Sequence, residues 1–268
     1  MSEAAPSQGR PRPRFRTAEV SRVRRLSSRM VSVTLAGSEL EDFQPPAPSQ
    51  HLKIVFPRPG EARLLLPNPG EPPAPGAERP VMRTYTPRRY DAGRLELDVE
   101  FFIHGDGPAS SWAAQAKPGD AVALAGPGGR FQPNPEAGWY LLAADESALP
   151  ALEMILESLP ESLPADVYVE VEAGFEELPL PAAAGAHVTW LHRPPDDDRA
   201  GQLLAQAVAA ATLPAGAGQV WAACESSVAR SIRRDLLGRG VVRPEHLITR
   251  GYWKRGESNH PDHDYGEE

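Results

Sequence analysis

Arg83, Tyr85 and Thr86 stand together in "RTYTPRRY", and a second polar turn, "HGDGPASSWA", begins at His104. Each residue type brings a different capability. Arg83 offers a planar cationic fork for a phosphate. Tyr85 offers a flat face with a hydroxyl handle, suited to stacking on a ring, and Thr86 adds a hydroxyl for the ring's edge. Residues two apart share one face of a strand, so Arg83 and Tyr85 project together. In the second turn Gly105 and Gly107 permit close backbone approach, and the N–H groups and hydroxyls of Ser110 and Ser111, at a helix start, can receive phosphate. Between the two segments "GRLELDVEFFI" alternates like a strand. Two adjacent strand ends then make one cradle for a dinucleotide with a flat ring, a description that FAD fits.

The elements that must position this cradle read as short strands punctuated by turns. "AEVSRVRRLSSRMVSVTLAG" gives two strands joined by a bend, "HLKIVFP" (51–57) a third stopped by Pro57, and "RLLL" a short one before a long Pro-rich loop. "VMRTYTPRRY", "LELDVEFFIH" and "DAVALAGPGG" add three more, with one short helix candidate in "PASSWAAQAKPGD", begun near Pro108 and ended by Pro118-Gly119. Strands at this spacing predict an antiparallel barrel. From residue 138 the pattern changes. An apolar strand at 139–143 runs into a helix with Leu149, Leu152, Ile155, Leu156 and Leu159 at helical spacing, and strands at "DVYVEVEA", "HVTWLHR" and "QVWAAC" then alternate with helices at "AGQLLAQAVAAATL" and "SSVARSIRRDLLGR". That alternation predicts a parallel sheet with both faces covered.

The bulk numbers agree with two domains. A chain of 268 residues is too long for one minimal core. Its 30 Pro and 23 Gly gather in tails and between apolar runs, where they act as punctuation. A net charge of −8 argues against nucleic acid or a membrane surface as the main partner. The basic first 25 residues lack the apolar stretch of a signal peptide, and no apolar run reaches the roughly 18–20 residues of a membrane span. One cysteine, Cys224, allows no internal disulfide and no four-thiolate iron–sulphur cluster, and it fits a reducing cytoplasm. A cytoplasmic protein is expected, and nothing in the pattern asks for a partner subunit, so a monomer is expected.

"RTYTPR", "HGDGPASSWA", "PGD", "ADESALPAL", "ACESSVARSIRRDL" and "GYWKRGE", in this order over about 15–257, resemble the siderophore-interacting proteins, FAD-dependent ferric-siderophore reductases of the ferredoxin-reductase-like superfamily. The resemblance implies an N-terminal antiparallel Greek-key β-barrel binding FAD (15–134), a C-terminal parallel-sheet α/β domain docking NADPH (138–256), a disordered tail at 1–14 and a polar tail at 257–268. By the family pattern Arg83, Tyr85, Thr86 and Arg88 carry over as flavin contacts, and His104, Gly105, Ala109, Ser110 and Ser111 as the flavin-phosphate turn. The implied reaction takes electrons from NADPH through FAD to an Fe(III)–siderophore, catecholate or hydroxamate. Lys53, Arg130 and Lys254 match basic positions that the family's catecholate reducers use as a pocket, which Tyr252 and Trp253 would frame.

In the second half Asp145, Glu146 and Ser147 follow a strand end and open a helix, a nicotinamide-proximal turn or equally a helix cap. Glu225 and Ser226 repeat that logic one strand later, and Arg230, Arg233 and Arg234 follow on the helix. His192 and Arg193 end another strand, where a cation would meet the 2′-phosphate of NADPH. Two departures stand out: the family tends to have Gly where this chain has Ala144 and Cys224, and no full G-x-G-x-x-G fingerprint occurs. "GPGG" reads as a tight turn, and His260 and His263 as members of a solvated tail. No general acid or base and no metal site is nominated. Two other readings stay open: a general NAD(P)H-dependent flavin reductase with another acceptor, and a non-enzymatic siderophore-binding protein.

Overall fold

The computed structural model of the protein describes residues 14–61, 63–67, 77–129, 131–173, 177–181, 185–195, 199–260 and 263–264. Arg130 and nearly all of the tail at 1–14 lie outside them. The N-terminal half builds one seven-stranded antiparallel sheet from β1 (Phe15–Arg25), β2 (Met30–Ala36), β3 (His51–Phe56), β4 (Val81–Tyr85), β5 (Pro87–Asp91), β6 (Glu96–Phe102) and β7 (Ala121–Gly128). The order is β4-β3-β7-β1-β2-β6-β5. Its two outermost strands, β4 and β5, are consecutive in the chain and joined at Thr86, so the sheet curls until its edges meet. The strand expected over "VMRTYTPRRY" is therefore two strands on opposite edges. Inward residues such as Val33, Leu35, Ile54, Leu97, Val99, Phe101 and Leu124 fill the interior, with Ala109 and Ala113 of helix α1 (Pro108–Gln115) against them. The strand expected at "RLLL" does not form. Residues 63–67 join no ladder, and the run closes at Pro67, which has no N–H to pair.

The C-terminal half is a six-stranded sheet in the order β10-β9-β8-β11-β12-β13. Strands β8 (Trp139–Asp145), β9 (Ala165–Glu172), β10 (Ala186–Arg193), β11 (Gly218–Glu225) and β12 (Leu247–Trp253) run parallel, and β13 (His263–Asp264) returns antiparallel beside β12. Strands β12 and β13 escape the sequence reading. The central strands β8 and β11 are buried at every position, as a sheet covered on both faces requires. Leu204 and Val208 of α3 (Gln202–Ala210) and Ala229, Ile232 and Leu236 of α4 (Ser226–Arg239) cover one face. Helix α2 (Leu149–Ser158) covers the other. Its residues Leu149–Leu156 are all buried, which a sheet on one side alone cannot achieve. The barrel supplies the second cover: Met30 and Phe131 join the same apolar core as α2.

Polar ties reinforce that seam. Arg88 of β5 donates from Nε and Nη2 to Glu153 Oε2 at 3.0 and 2.8 Å, and from Nη1 and Nη2 to the Glu157 carboxylate at 2.9 and 2.7 Å, both acceptors on α2. Arg29, between β1 and β2, pairs with Glu172 at the end of β9 at 2.7 Å and lies over the Phe102 ring. Among the described residues no helix is long and apolar enough to cross a membrane.

Candidate active site

Strands β8 and β11 are neighbours, yet their following helices α2 and α4 cover opposite faces of the sheet, so a crevice opens at the carboxyl ends of this pair. The barrel closes over it. The result is a cavity of about 430 Å³ lined from both halves: Arg83 to Thr86 at the end of β4, Gly107 to Ser110 at the start of α1, and Asp145 to Ser147 after β8. Arg83, Tyr85, Thr86, His104, Ala109, Ser110, Asp145, Glu146 and Ser147, far apart in the chain, thus line one cavity.

Each barrel side chain is held from behind. The Tyr85 ring rests on Phe101 at 4.4 Å and on Phe56 at 6.3 Å between centroids, and burial pushes its hydroxyl up to about 12, so it stays a neutral phenol. Arg83 donates to the Met82 carbonyl at 2.8 Å and to Ser258 Oγ at 3.2 Å. The His104 N–H donates to Ser110 Oγ at 2.8 Å, which ties the turn to the first turn of α1. The His104 ring stacks on Phe102, and burial, with help from the charge of Arg29, lowers its pKa, favouring neutral imidazole. Pro108 opens α1, and the N–H groups of Ala109 and Ser110 belong to the first turn, which has no intrahelical acceptor for them. Gly105 takes the left-handed φ of 51° that this turn needs. Gly105 and Ser111 do not line the cavity, and the Ser111 N–H is already given to the Gly107 carbonyl at 2.8 Å.

On the α/β side Asp145 accepts at Oδ1 from the Ser147 N–H (3.0 Å) and hydroxyl (2.5 Å), and at Oδ2 from Trp253 Nε1–H at 2.7 Å. Burial, and next the charge of Glu146, raise its pKa to about 6. Glu146 accepts from the Glu172 N–H at 2.7 Å and from both Nη atoms of Arg193.

Three readings of the sequence change here. Arg88 does not reach the cavity: the ladder slips between Pro87 and Arg89, and the guanidinium turns to Glu153 and Glu157 on α2. Glu225 caps α4 by accepting from the Ser227 and Val228 N–H groups at 2.6 and 3.1 Å, and it does not line the cavity. Arg193 is 9% exposed and committed to Glu146, which leaves no free fork for a 2′-phosphate. His192 pairs with Glu177 at the surface. Ala144 and Cys224 are fully buried packing residues on opposite faces of the sheet, and burial pushes the Cys224 thiol well up.

Lys53 is exposed beside Thr84, its cross-strand partner on β4 and a cavity residue. Lys254 follows Trp253 at the rim and is paired with Glu257. In the segment after β12, Glu257, Ser258 and Asn259 are exposed, yet with His260 they line the cavity before β13 pairs back onto β12. The His263 side chain lies outside the described residues, among which no metal-holding cluster occurs. Sequence reasoning also missed His51, Glu100 and Phe102 on the barrel wall. The "GPGG" turn has a use after all, since a Cβ on Gly128 or Gly129 would come within 3.2 Å of the His51 ring.

The comparisons agree with this geometry. Residues 19–131 match the model of the siderophore-interacting FAD-binding domain, and residues 137–256 that of the siderophore-interacting protein. The ferric vibriobactin reductase ViuB of Vibrio cholerae is 32% identical over 93% of both chains. The NADPH-dependent ferric-chelate reductase of Escherichia coli is 32% identical over 90% of this chain and 93% of its own. The crystal structure of a siderophore utilization protein from T. fusca superposes with a TM-score of 0.82 at 37% identity, covering 93% of this chain and 96% of that one. This chain belongs to the siderophore-interacting protein family.

Proposed function

We propose that the protein is a ferric-siderophore reductase that draws electrons from NADPH, passes them through FAD, and delivers them to chelated Fe(III), so that iron leaves as Fe(II). The observation that carries this reading is the shared cavity. The barrel's ring-and-phosphate residues and the switch point of the parallel sheet open into the same space, so two nucleotides bound to different halves would meet there. The residues present fit FAD: a cation at Arg83, a braced aromatic face at Tyr85, open N–H groups at the start of α1, and a buried carboxyl oxygen of Glu100 with no partner among the described residues. When bound, FAD supplies the conversion from a two-electron hydride donor to a one-electron acceptor.

In this reading Arg83 and the N–H groups of Ala109 and Ser110 hold the pyrophosphate, while Tyr85 and Thr86 bound the ring. The stacked rings of His104 and Phe102 form a wall beside it. Asp145 to Ser147 border the nicotinamide, with Trp253 fixed over them through its bond to Asp145. One NADPH serves two Fe(III), giving NADP⁺, a proton and two Fe(II). Oxygen chelators hold the softer, less charged Fe(II) far more weakly, and release follows. Lys53 and Lys254 at the rim would meet the anionic chelate, as would Arg130, which lies outside the described residues. We assign residues 15–134 to the flavin half and 138–256 to the nicotinamide half, and the protein to the cytoplasm as a monomer. The lone reduced cysteine favours that compartment, and a charge of −8 favours separate copies.

The test mixes FAD-loaded protein, NADPH and a ferric catecholate without oxygen and follows Fe(II) capture by a coloured trap. Enzyme-dependent Fe(II) formation that Lys53→Ala slows through a raised KM is expected. Bleaching of the flavin without Fe(II) would assign a different acceptor, and a flavin that neither NADPH nor NADH bleaches would overturn the reductase reading.

A further inference from the structure

Glu100 lies on the outward face of β6 with Asp98 and Phe102, while Leu97, Val99 and Phe101 point into the barrel. An outward glutamate on a barrel is ordinarily wet. This one is 8% exposed, because the α/β half closes over it, and it lines the cavity beside Thr86 and Phe102. Its Oε2 has no hydrogen-bond partner among the described residues. Such a buried orphan oxygen is costly unless something else fills the role of partner.

We propose that Glu100 is a flavin-positioning residue, whose neutral carboxyl donates a hydrogen bond to an acceptor atom of FAD bound in this cavity. The inference rests on the flavin reading of the site. Its electrostatic surroundings favour the neutral form. Burial, and then the charge of Glu153 on α2, raise its pKa to about 7, with Asp98 on its own strand acting the same way. Arg88 on β5 and Arg24 on β1 oppose this. Arg88, however, spends Nε and both Nη atoms on Glu153 and Glu157, and no bond from it reaches Glu100. A neutral acid in this place suits an anionic, electron-rich ligand better than a carboxylate would, since a second negative charge would repel it.

The donor role makes a pH signature. Only the protonated acid donates, so FAD affinity is full below the carboxyl's pKa and falls as pH rises through it. The test titrates apoprotein with FAD, by flavin fluorescence quenching, between about pH 6 and about pH 8.5, for the wild type, Glu100→Gln and Glu100→Leu. The wild-type affinity should fall above about pH 7 with a limiting slope of about tenfold per pH unit. Glu100→Gln keeps a donor of the same shape and cannot titrate. It should match the wild type at the acid end and lack this fall. Glu100→Leu should bind about tenfold more weakly than the wild type at the acid end. The cavity's other titratable residues, His51, His104, Asp145 and His260 among them, are present in all three proteins, so their contributions cancel in the comparison. A wild type and Glu100→Gln with the same pH profile, or Glu100→Leu binding as tightly as the wild type, would overturn the inference while leaving the flavin site intact. A wild type that binds no FAD at any pH would remove both.

Discussion

Arg88→Met tests whether the two halves are held in register by the ion cluster on α2. The Arg88 side chain is 5% exposed and that of Glu153 12%, whereas Glu157 at 38% can turn to solvent. The cost therefore comes from Glu153, left charged and unpaired in the seam. Breaking a buried pair in this way costs about 3–5 kcal/mol. At roughly 2–4 °C per kcal/mol for a chain of this size, Tm should drop by about 6–20 °C. The sign of the pH dependence follows from Glu153. Burial already holds its pKa above the usual carboxylate value, and Arg88 pulls it back down. Without Arg88 it rises further, so the folded variant gains protons, and hence stability, as pH falls. The deficit relative to wild type should be largest near about pH 8 and shrink toward about pH 5. Urea unfolding at both pH values measures this, and Arg88→Met/Glu153→Gln should recover most of the loss. A single variant within about 1 kcal/mol of wild type, or equal deficits at both pH values, would refute the reasoning.

Glu225→Ala removes the acceptor of two α4 N–H groups and should lower stability by about 1–2 kcal/mol while FAD affinity stays unchanged. A selective loss of nucleotide binding at unchanged Tm would return Glu225 to the site. Asp145 is raised to about 6, so its charged form works against the fold: this group's contribution improves as pH drops through about 6 and is least favourable above it. Asp145→Asn should therefore gain stability relative to wild type as pH rises from about 5 to about 7.5, read from paired urea curves; a constant difference would contradict the raised value.

The flavin half was legible because its chemistry is local. Arg83 and Tyr85 fall on one strand face and Ala109 and Ser110 in one helix turn, so strand alternation and helix-start geometry suffice to bring each pair to one side. The order of folds was legible for a similar reason, since a period of two gives way to helical spacing near residue 138. The break at Thr86 was not, because a strand and a strand that changes edges carry the same alternation.

The sequence by itself determined which residue types exist at each strand end, and thereby a dinucleotide cradle on a barrel followed by a parallel α/β sheet. Only the tertiary structure decided which of those strand-end groups remain free for a ligand. Arg88, Arg193 and Glu225 had the right charge and position, yet Glu153, Glu146 and the α4 backbone claim them. Glu100, which nothing in the strand pattern singled out, became a buried wall of the cavity, and residues 257–260 read as tail and became lining. The physical reason is the same throughout. A charged group's role depends on its neighbours and on the water it loses, and both come from segments tens of residues away that meet it only when the two halves close.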